Sequence, residues 1–90
     1  MTVRERIEKL GYEIVYVPHE IIEGYNACYR VKYEDNLVFP PAADELGIPL
    51  NEIWISEKWE PFEELILYHE LKEIEYRAEG KSVQQAHELA

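Results

Sequence analysis

The sequence contains little cysteine and no long apolar stretch. Cys28 is the single cysteine among 90 residues, so an internal disulfide framework is excluded, and a lone thiol fits a reducing cytosol. The apolar runs are only a few residues long, far short of a membrane span. The opening segment, MTVRERIEKL, is charged and amphipathic, unlike a secretory signal peptide. We therefore expect a cytoplasmic protein that does not enter a membrane.

Basic residues are also scarce. Nine Lys and Arg residues stand against 19 Asp and Glu residues, which gives a formal net charge of -10 at pH 7. Such a charge repels phosphate backbones, so nucleic acid is not an expected partner. The same charge attracts cations, including divalent metal ions and basic peptides, and the composition is therefore compatible with a peptide or protein partner.

The chain does contain enough apolar residues, 47%, for one modest core in a single domain spanning residues 1–90. Residue periodicity and turn residues predict, in order, a helix at 2–10, strands at 12–17, 25–33 and 37–39, a helical turn at 42–46, a strand at 52–56, a long helix at 61–79 and a terminal helix from 82. This order indicates an α+β fold. We expect a small, mostly antiparallel sheet packed against a long central helix and a C-terminal helix.

The ends of the two C-terminal helices are marked by particular residues. Pro61 suits the first turn of the long helix, and Gly80 suits the position just after its end. Ser82 followed by Gln85 forms a capping box that opens the terminal helix. The two helices are thus expected to form a hairpin.

Apolar residues of the long helix fall on two arcs when they are placed at about 100° per residue. One arc contains Leu67, Leu71, Ile74 and Ala78, and the roughly opposite arc contains Phe62, Leu65, Ile66 and Tyr76. A surface helix needs one apolar stripe, so two arcs predict a helix that is covered on two sides.

The second arc also contains His69 and Glu73, which lie one helical turn apart. A glutamate among apolar groups is costly unless it is paired or bound to a metal ion. If the terminal helix returns antiparallel, His87 comes within about one turn of both. These three residues would then bind a metal ion, most naturally zinc, and leave a fourth position open. Glu70, predicted beside Arg77 at the edge of the arc, would be the general base that activates water.

Residues 69–73, HELKE, resemble the H-E-x-x-H helix of the zincin metallopeptidases. In that family two histidines bind zinc, the glutamate is the general base, a third ligand follows, and an edge strand precedes the helix. The resemblance implies that His69 is a ligand, that Glu70 is the base and that residues 52–56 form the edge strand. Glu73 stands where the second histidine is expected and His87 where many zincins have a carboxylate, so the ligand types are permuted. The resemblance covers residues 52–87 and implies a minimal zinc-dependent hydrolase of the peptidase type, similar to small prokaryotic zincin-like proteins.

A different interpretation needs no metal ion. Glu73 would pair with Arg77, Glu70 would be solvated, and His69 would bond to a backbone carbonyl or a tyrosine hydroxyl. The protein would then be a non-catalytic structural or interaction domain that binds another protein through a sheet edge or through Trp54 and Trp59.

Two further side chains have simpler explanations. Cys28 lies on the Arg30 side of its strand and could be a nucleophile, but with no histidine partner evident in the sequence it is predicted to be a structural thiol. His19 follows Pro18 in a connection and is predicted to lie at the surface rather than to serve as an extra ligand.

Overall fold

Helices and strands occur in the predicted order. The computed structural model describes all 90 residues, and its elements are α1 (Val3–Lys9), β1 (Glu13–Val17), β2 (Ala27–Tyr33), β3 (Asn36–Val38), α2 (Ala42–Leu46), β4 (Glu52–Ser56), a 3₁₀ helix (Glu57–Phe62), α3 (Glu63–Ala78) and α4 (Val83–Leu89). The predicted α+β fold, with a small and mostly antiparallel sheet against a long helix and a C-terminal helix, is confirmed. No helix combines the length and the apolar character that crossing a membrane requires.

The four strands form one sheet in the order β1-β4-β2-β3. β4 pairs in parallel with β1 and antiparallel with β2, and β2 continues antiparallel into β3. The expectation that residues 52–56 form an edge strand is therefore wrong, because β4 has a neighbour on each side. Both faces of β4 are covered by protein, which suits a central strand rather than an edge strand.

The main core lies on one face of the sheet, between the strands, α1 and α3. Its members are apolar residues of these elements that are almost fully removed from water: Val3, Ile7, Tyr12, Tyr29, Val31, Val38, Ile53, Ile55, Ile66, Leu67, Leu71 and Ile74. The alternation of β2 explains the contribution of Tyr29 and Val31, which point to the same face two residues apart.

A second, smaller core covers the opposite face of the sheet. It consists of short-helix and loop residues together with strand residues: Val17, Ile22, Cys28, Ala42, Ala43 and Ile48. Trp54 packs partly against this cluster, and its indole N–H donates to Glu52 Oε1 at 2.9 Å. Ile53 and Ile55 belong to the main core, so Trp54 lies on the opposite face of β4, in a packed layer.

The start of the long helix differs from the prediction. Pro61 lies inside the 3₁₀ helix, whose first turn is capped by Ser56, and the α-helix begins only at Glu63. Phe62 has φ -121° and ψ 36°, which is not helical and separates the two helical segments. The helix from Pro61 to Glu79 is thus α-helical only over Glu63–Ala78.

The burial of α3 also differs from the two predicted arcs. Phe62 and Leu65, from the second arc, are 58% and 63% exposed, whereas Ile66 is buried. The buried residues instead form one broad face that includes Glu70 and Glu73: Ile66, Leu67, Glu70, Leu71, Glu73 and Ile74. The prediction of two opposite buried arcs is wrong, because the sheet, α1 and α4 all cover this single face and its flanks.

The terminal helix begins as predicted. The Ser82 hydroxyl accepts a hydrogen bond from the Gln85 backbone N–H at 3.1 Å, and the Gln85 side chain accepts one from the Ser82 N–H at 3.1 Å. Gly80, with φ 101°, adopts the left-handed conformation that lets the chain turn after α3. α4 then packs against α3 through the fully buried Ala86, which brings the side of α4 that carries His87 to α3.

Candidate metal centre

The structure brings His69, Glu73 and His87 together at the contact between α3 and α4. His69 Nε2 lies 3.6 Å from Glu73 Oε2, and His87 Nδ1 lies 3.4 Å from the same oxygen. The two imidazole nitrogens are 3.4 Å apart. Two nitrogens and one carboxylate oxygen therefore form a nearly equilateral triangle.

The size of this triangle can be compared with the needs of a metal ion. A tetrahedral zinc ion with bonds of about 2.0–2.1 Å separates neighbouring ligand atoms by about 3.3 Å. The observed separations of 3.4 to 3.6 Å are close to that value. Imidazole nitrogen and carboxylate oxygen are also the donors that zinc and similar divalent transition metals accept. The three residues thus fit a metal ion in both geometry and chemistry, and a fourth position would remain free of protein ligands.

Glu73 is held by the sheet as well as by its own helix. Its side chain is mostly buried, and its Oε1 accepts a hydrogen bond from the Tyr29 hydroxyl of β2 at 3.0 Å. Arg77, in contrast, donates to the carbonyl oxygen of Phe39 at 3.3 Å and forms no ion pair with Glu73. The i,i+4 pairing on which the metal-free interpretation depends is therefore not formed.

The two histidines are more accessible than the glutamate. The side chain of His69 is 29% exposed and that of His87 is 68% exposed, whereas that of Glu73 is only 9% exposed. The imidazole rings meet edge to face with centroids 5.1 Å apart. Glu73 Oε2 belongs to a mostly buried side chain and lies next to two imidazole nitrogens of accessible side chains, so a cation can approach the three atoms from the side of the histidines.

Glu70 lies deeper than the sequence indicated. The sequence placed Glu70 beside Arg77 at the edge of the second arc, whereas the buried face of α3 runs between the two predicted arcs and includes Glu70. Glu70 is 5% exposed, and its Oε2 has no hydrogen-bond partner. Burial, together with the nearby charge of Glu73, raises the pKa of the Glu70 carboxyl well above its ordinary value of 4.5. The solvated glutamate of the metal-free interpretation is likewise absent.

A cleft of about 880 Å³ opens beside the triangle. Apolar side chains form much of its wall, and no lysine or arginine lines it. The lining includes the start of β2, the Pro40-Pro41 turn and residues of α3 and α4, among them Tyr25, Ala27, Trp59, Leu65, Ile66, Glu70 and Val83. The cleft is large enough for a small molecule or a few residues of a peptide.

The remaining candidates lie outside the triangle. Cys28 is buried, and burial raises the pKa of its thiol to about 12, so it lines the cleft as a protonated thiol rather than a nucleophile. His19 Nδ1 lies 2.8 Å from the hydroxyl of the fully buried Ser56, away from the cleft lining. Trp59 packs against the main core, and its ring meets that of Phe62 edge to face, with ring centroids 6.2 Å apart.

Tyr29 is the site residue that the sequence did not single out. The alternation of residues 25–33 indicates only that Tyr29 shares one face of its strand with Tyr25 and Tyr33. The available signal was general: a buried tyrosine hydroxyl usually has a hydrogen-bond partner, and a buried glutamate needs a donor. Nothing local in the sequence pairs two residues that are 44 positions apart.

Comparisons with protein-family models, with curated proteins and with solved structures find no match for this chain.

Proposed function

We propose that the protein binds a divalent transition-metal ion, most naturally zinc, through His69 Nε2, Glu73 Oε2 and His87 Nδ1. The observation that carries this proposal is the triangle of these three atoms, with sides of 3.4 to 3.6 Å. We further propose that the protein is a minimal zincin-like hydrolase. A bound ion of this kind supplies Lewis acidity toward a carbonyl oxygen and makes water a better nucleophile near neutral pH.

Glu70 is the proposed general base. It follows the ligand His69 directly in α3 and its residue lines the cleft, and its Oε2 is a buried atom that has no hydrogen-bond partner. In its ionised form the Glu70 carboxylate can accept a proton from the attacking water and return it to the leaving group, and its raised pKa makes it a stronger base than an exposed glutamate. Glu73, in contrast, has its two oxygens directed to Tyr29 and to the histidines, so its role is binding rather than proton transfer.

The lining of the cleft favours an uncharged substrate. Sites for phosphoryl groups commonly use arginine or lysine to bind the phosphate oxygens, and neither residue lines this cleft. Trp59, Leu65 and Val83 offer apolar surface beside the triangle. A peptide or other amide that carries an apolar group near the bond to be cleaved suits this wall better than a phosphoester does.

Zinc titration of three glutamine variants tests the proposal, starting from protein purified without chelator. Glu73→Gln should lose most of the zinc affinity, because the carboxylate supplies both charge and a lone pair. Glu70→Gln should bind zinc nearly as wild type does and lose any hydrolysis of amide substrates, since only the base is removed. Glu75→Gln on the same helix is the matched control and should change neither. Equal zinc affinities for wild type and Glu73→Gln would contradict the metal site.

A non-catalytic interaction domain is the second candidate function. It is favoured by Phe62 and Leu65, which lie exposed close together where the 3₁₀ helix meets α3. This pair could contact an apolar surface of a protein partner. Metal analysis of the purified protein separates the two candidates. Sub-stoichiometric metal that His69→Ala leaves unchanged would favour the interaction domain.

A further inference from the structure

Tyr29 connects the candidate metal site to the sheet. Its side chain is almost fully buried, and its hydroxyl donates to Glu73 Oε1 at 3.0 Å. The hydroxyl touches the oxygen of Glu73 that does not face the histidines. Tyr29 is therefore beside a proposed ligand without being a ligand.

The hydrogen bond from Tyr29 determines which oxygen of Glu73 faces the two histidines. The terminal torsion of a glutamate is broad, so a free carboxylate can rotate and exchange its two oxygens. With Oε1 engaged by Tyr29, Oε2 is left 3.6 Å from His69 Nε2 and 3.4 Å from His87 Nδ1. We propose that Tyr29 is a positioning residue for the metal site, which holds the Glu73 carboxylate so that one defined oxygen faces the ion. This inference rests on the proposed metal binding.

The position of Tyr29 in the sheet makes it a firm support. It lies in β2 opposite Ile53 of β4, and β4 is in turn paired with β1. The backbone of Tyr29 is therefore held by strand pairing inside the sheet. The three proposed ligands lie instead on two helices, His69 and Glu73 on α3 and His87 on α4. Partners that orient a ligand in this way usually contribute strongly to metal affinity.

Tyr29→Phe tests the inference, with Tyr12→Phe as the matched control. Tyr12 is also buried, and its hydroxyl donates to the Lys32 carbonyl at 2.9 Å, away from the site. We expect Tyr29→Phe to weaken zinc binding about tenfold to a hundredfold, and Tyr12→Phe to leave it unchanged. At saturating cobalt, the visible absorption of Tyr29→Phe should differ from that of wild type, which a purely structural role would not produce. A dissociation constant within about twofold of wild type, with an unchanged cobalt spectrum, would overturn the inference.

A measurement on the wild-type protein covers the case in which Tyr29→Phe does not fold. With the tyrosine ring carbon Cζ labelled with ¹³C, zinc should shift the Tyr29 resonance and leave that of Tyr12 in place. A Tyr29 resonance that does not respond to saturating zinc would overturn the positioning role. If wild type binds no zinc, the metal site and this inference both fail, whereas zinc binding that is indifferent to Tyr29 removes the inference alone.

Discussion

The first and last helices of the chain have the same length and the same kind of N-cap, but they differ in how they pack against the rest of the domain. α1 and α4 each have seven residues, each begins with a complete capping box, and each packs on α3. α1 buries Val3 and Ile7 in the main core, whereas α4 buries only Ala86. Burial of apolar side chains stabilises a packed helix, so α1, with two larger buried side chains, is held more strongly by its apolar contacts than α4, which buries one alanine.

Their polar contacts differ in the same way. The Arg4 guanidinium donates to both oxygens of Glu63 at 2.8 and 2.7 Å, and the Tyr16 hydroxyl donates to the same carboxylate at 2.7 Å. The contacts of α4 through His87 are longer, at 3.4 Å, and belong to the candidate metal centre. The polar contacts of α1 are short hydrogen bonds between protein groups and need no bound ion. The contacts of His87 in α4 are longer, and a metal ion bound between them would strengthen the attachment of α4.

The largest expected effect is on α1. Ile7→Ala should lower the free energy of unfolding by about 2–5 kcal/mol, because it removes a fully buried side chain from the main core. Urea denaturation measures the loss, and Leu89→Ala at the exposed end of α4 is the control, with an expected change within about 0.5 kcal/mol. A similar loss for both variants would remove the contrast between the two helices.

Zinc should act on α4 and hardly on the attachment of α1. At a free zinc concentration of 100 times the dissociation constant, the protein should gain about 2.7 kcal/mol of stability. His87→Ala should abolish most of this gain. Hydrogen exchange with and without zinc locates the effect: protection should rise in Val83–Leu89 more than in Val3–Lys9. An equal rise in the two helices would mean that zinc stabilises the domain without fastening α4.

Acid should weaken the attachment of α1. The Arg4 guanidinium and the Tyr16 hydroxyl hold the pKa of Glu63 down at about 2, below its ordinary value of 4.5. Because the folded protein binds this proton less tightly than the unfolded chain, the contribution is present above pH 4.5 and is lost as the pH falls from 4.5 toward 2. About a third of each charged side chain is exposed, so solvent screens the pair and the effect is smaller than that of zinc.

Urea midpoints at pH 5.5 and pH 3 measure this contribution. Glu63→Gln should lower stability at the higher pH and narrow the difference between the two conditions. An unchanged pH dependence in Glu63→Gln would show that other carboxylates account for the acid sensitivity.

The smallest expected effects are those of the two caps. Thr2→Ala and Ser82→Ala each remove one capping side chain, which costs about 1 kcal/mol of helix stability. Thr2→Ala should lower the global unfolding free energy. Ser82→Ala should instead increase local opening of α4 and weaken zinc binding by up to about fivefold, the factor that 1 kcal/mol represents. Hydrogen exchange and zinc titration of both variants test this difference, and weaker zinc binding in Thr2→Ala alone would contradict it.

Local sequence signals predicted much of the helical hairpin. The i,i+4 spacing made His69 and Glu73 neighbours, and the capping box after Gly80 implied a second helix that returns to meet them. These features depend on residues that are close in the chain, so periodicity and capping rules apply directly.

The late start of α3 at Glu63 is a local error, and the other errors concern contacts between distant segments. The central position of β4 follows from its pairing with β1 and β2, which the pattern of residues 52–56 does not specify. The burial of Glu70 depends on how α3 is turned toward the sheet, since the helix presents one broad face where two arcs were predicted. The link from Tyr29 to Glu73 joins strand and helix across 44 positions. Hydrophobic periodicity predicts that a face is buried but does not predict which side chains meet there.

The three donor residues also lie closer to one another along the chain than Tyr29 lies to Glu73. His69 and His87 are separated by only 18 positions, and Glu73 and His87 by 14. Short separations make the entropy cost of loop closure small and allow contacts to form rapidly, whereas the approach of Tyr29 requires pairing between distant strands. We therefore expect the donors to gather as a local event, before the sheet fixes the orientation of the Glu73 carboxylate.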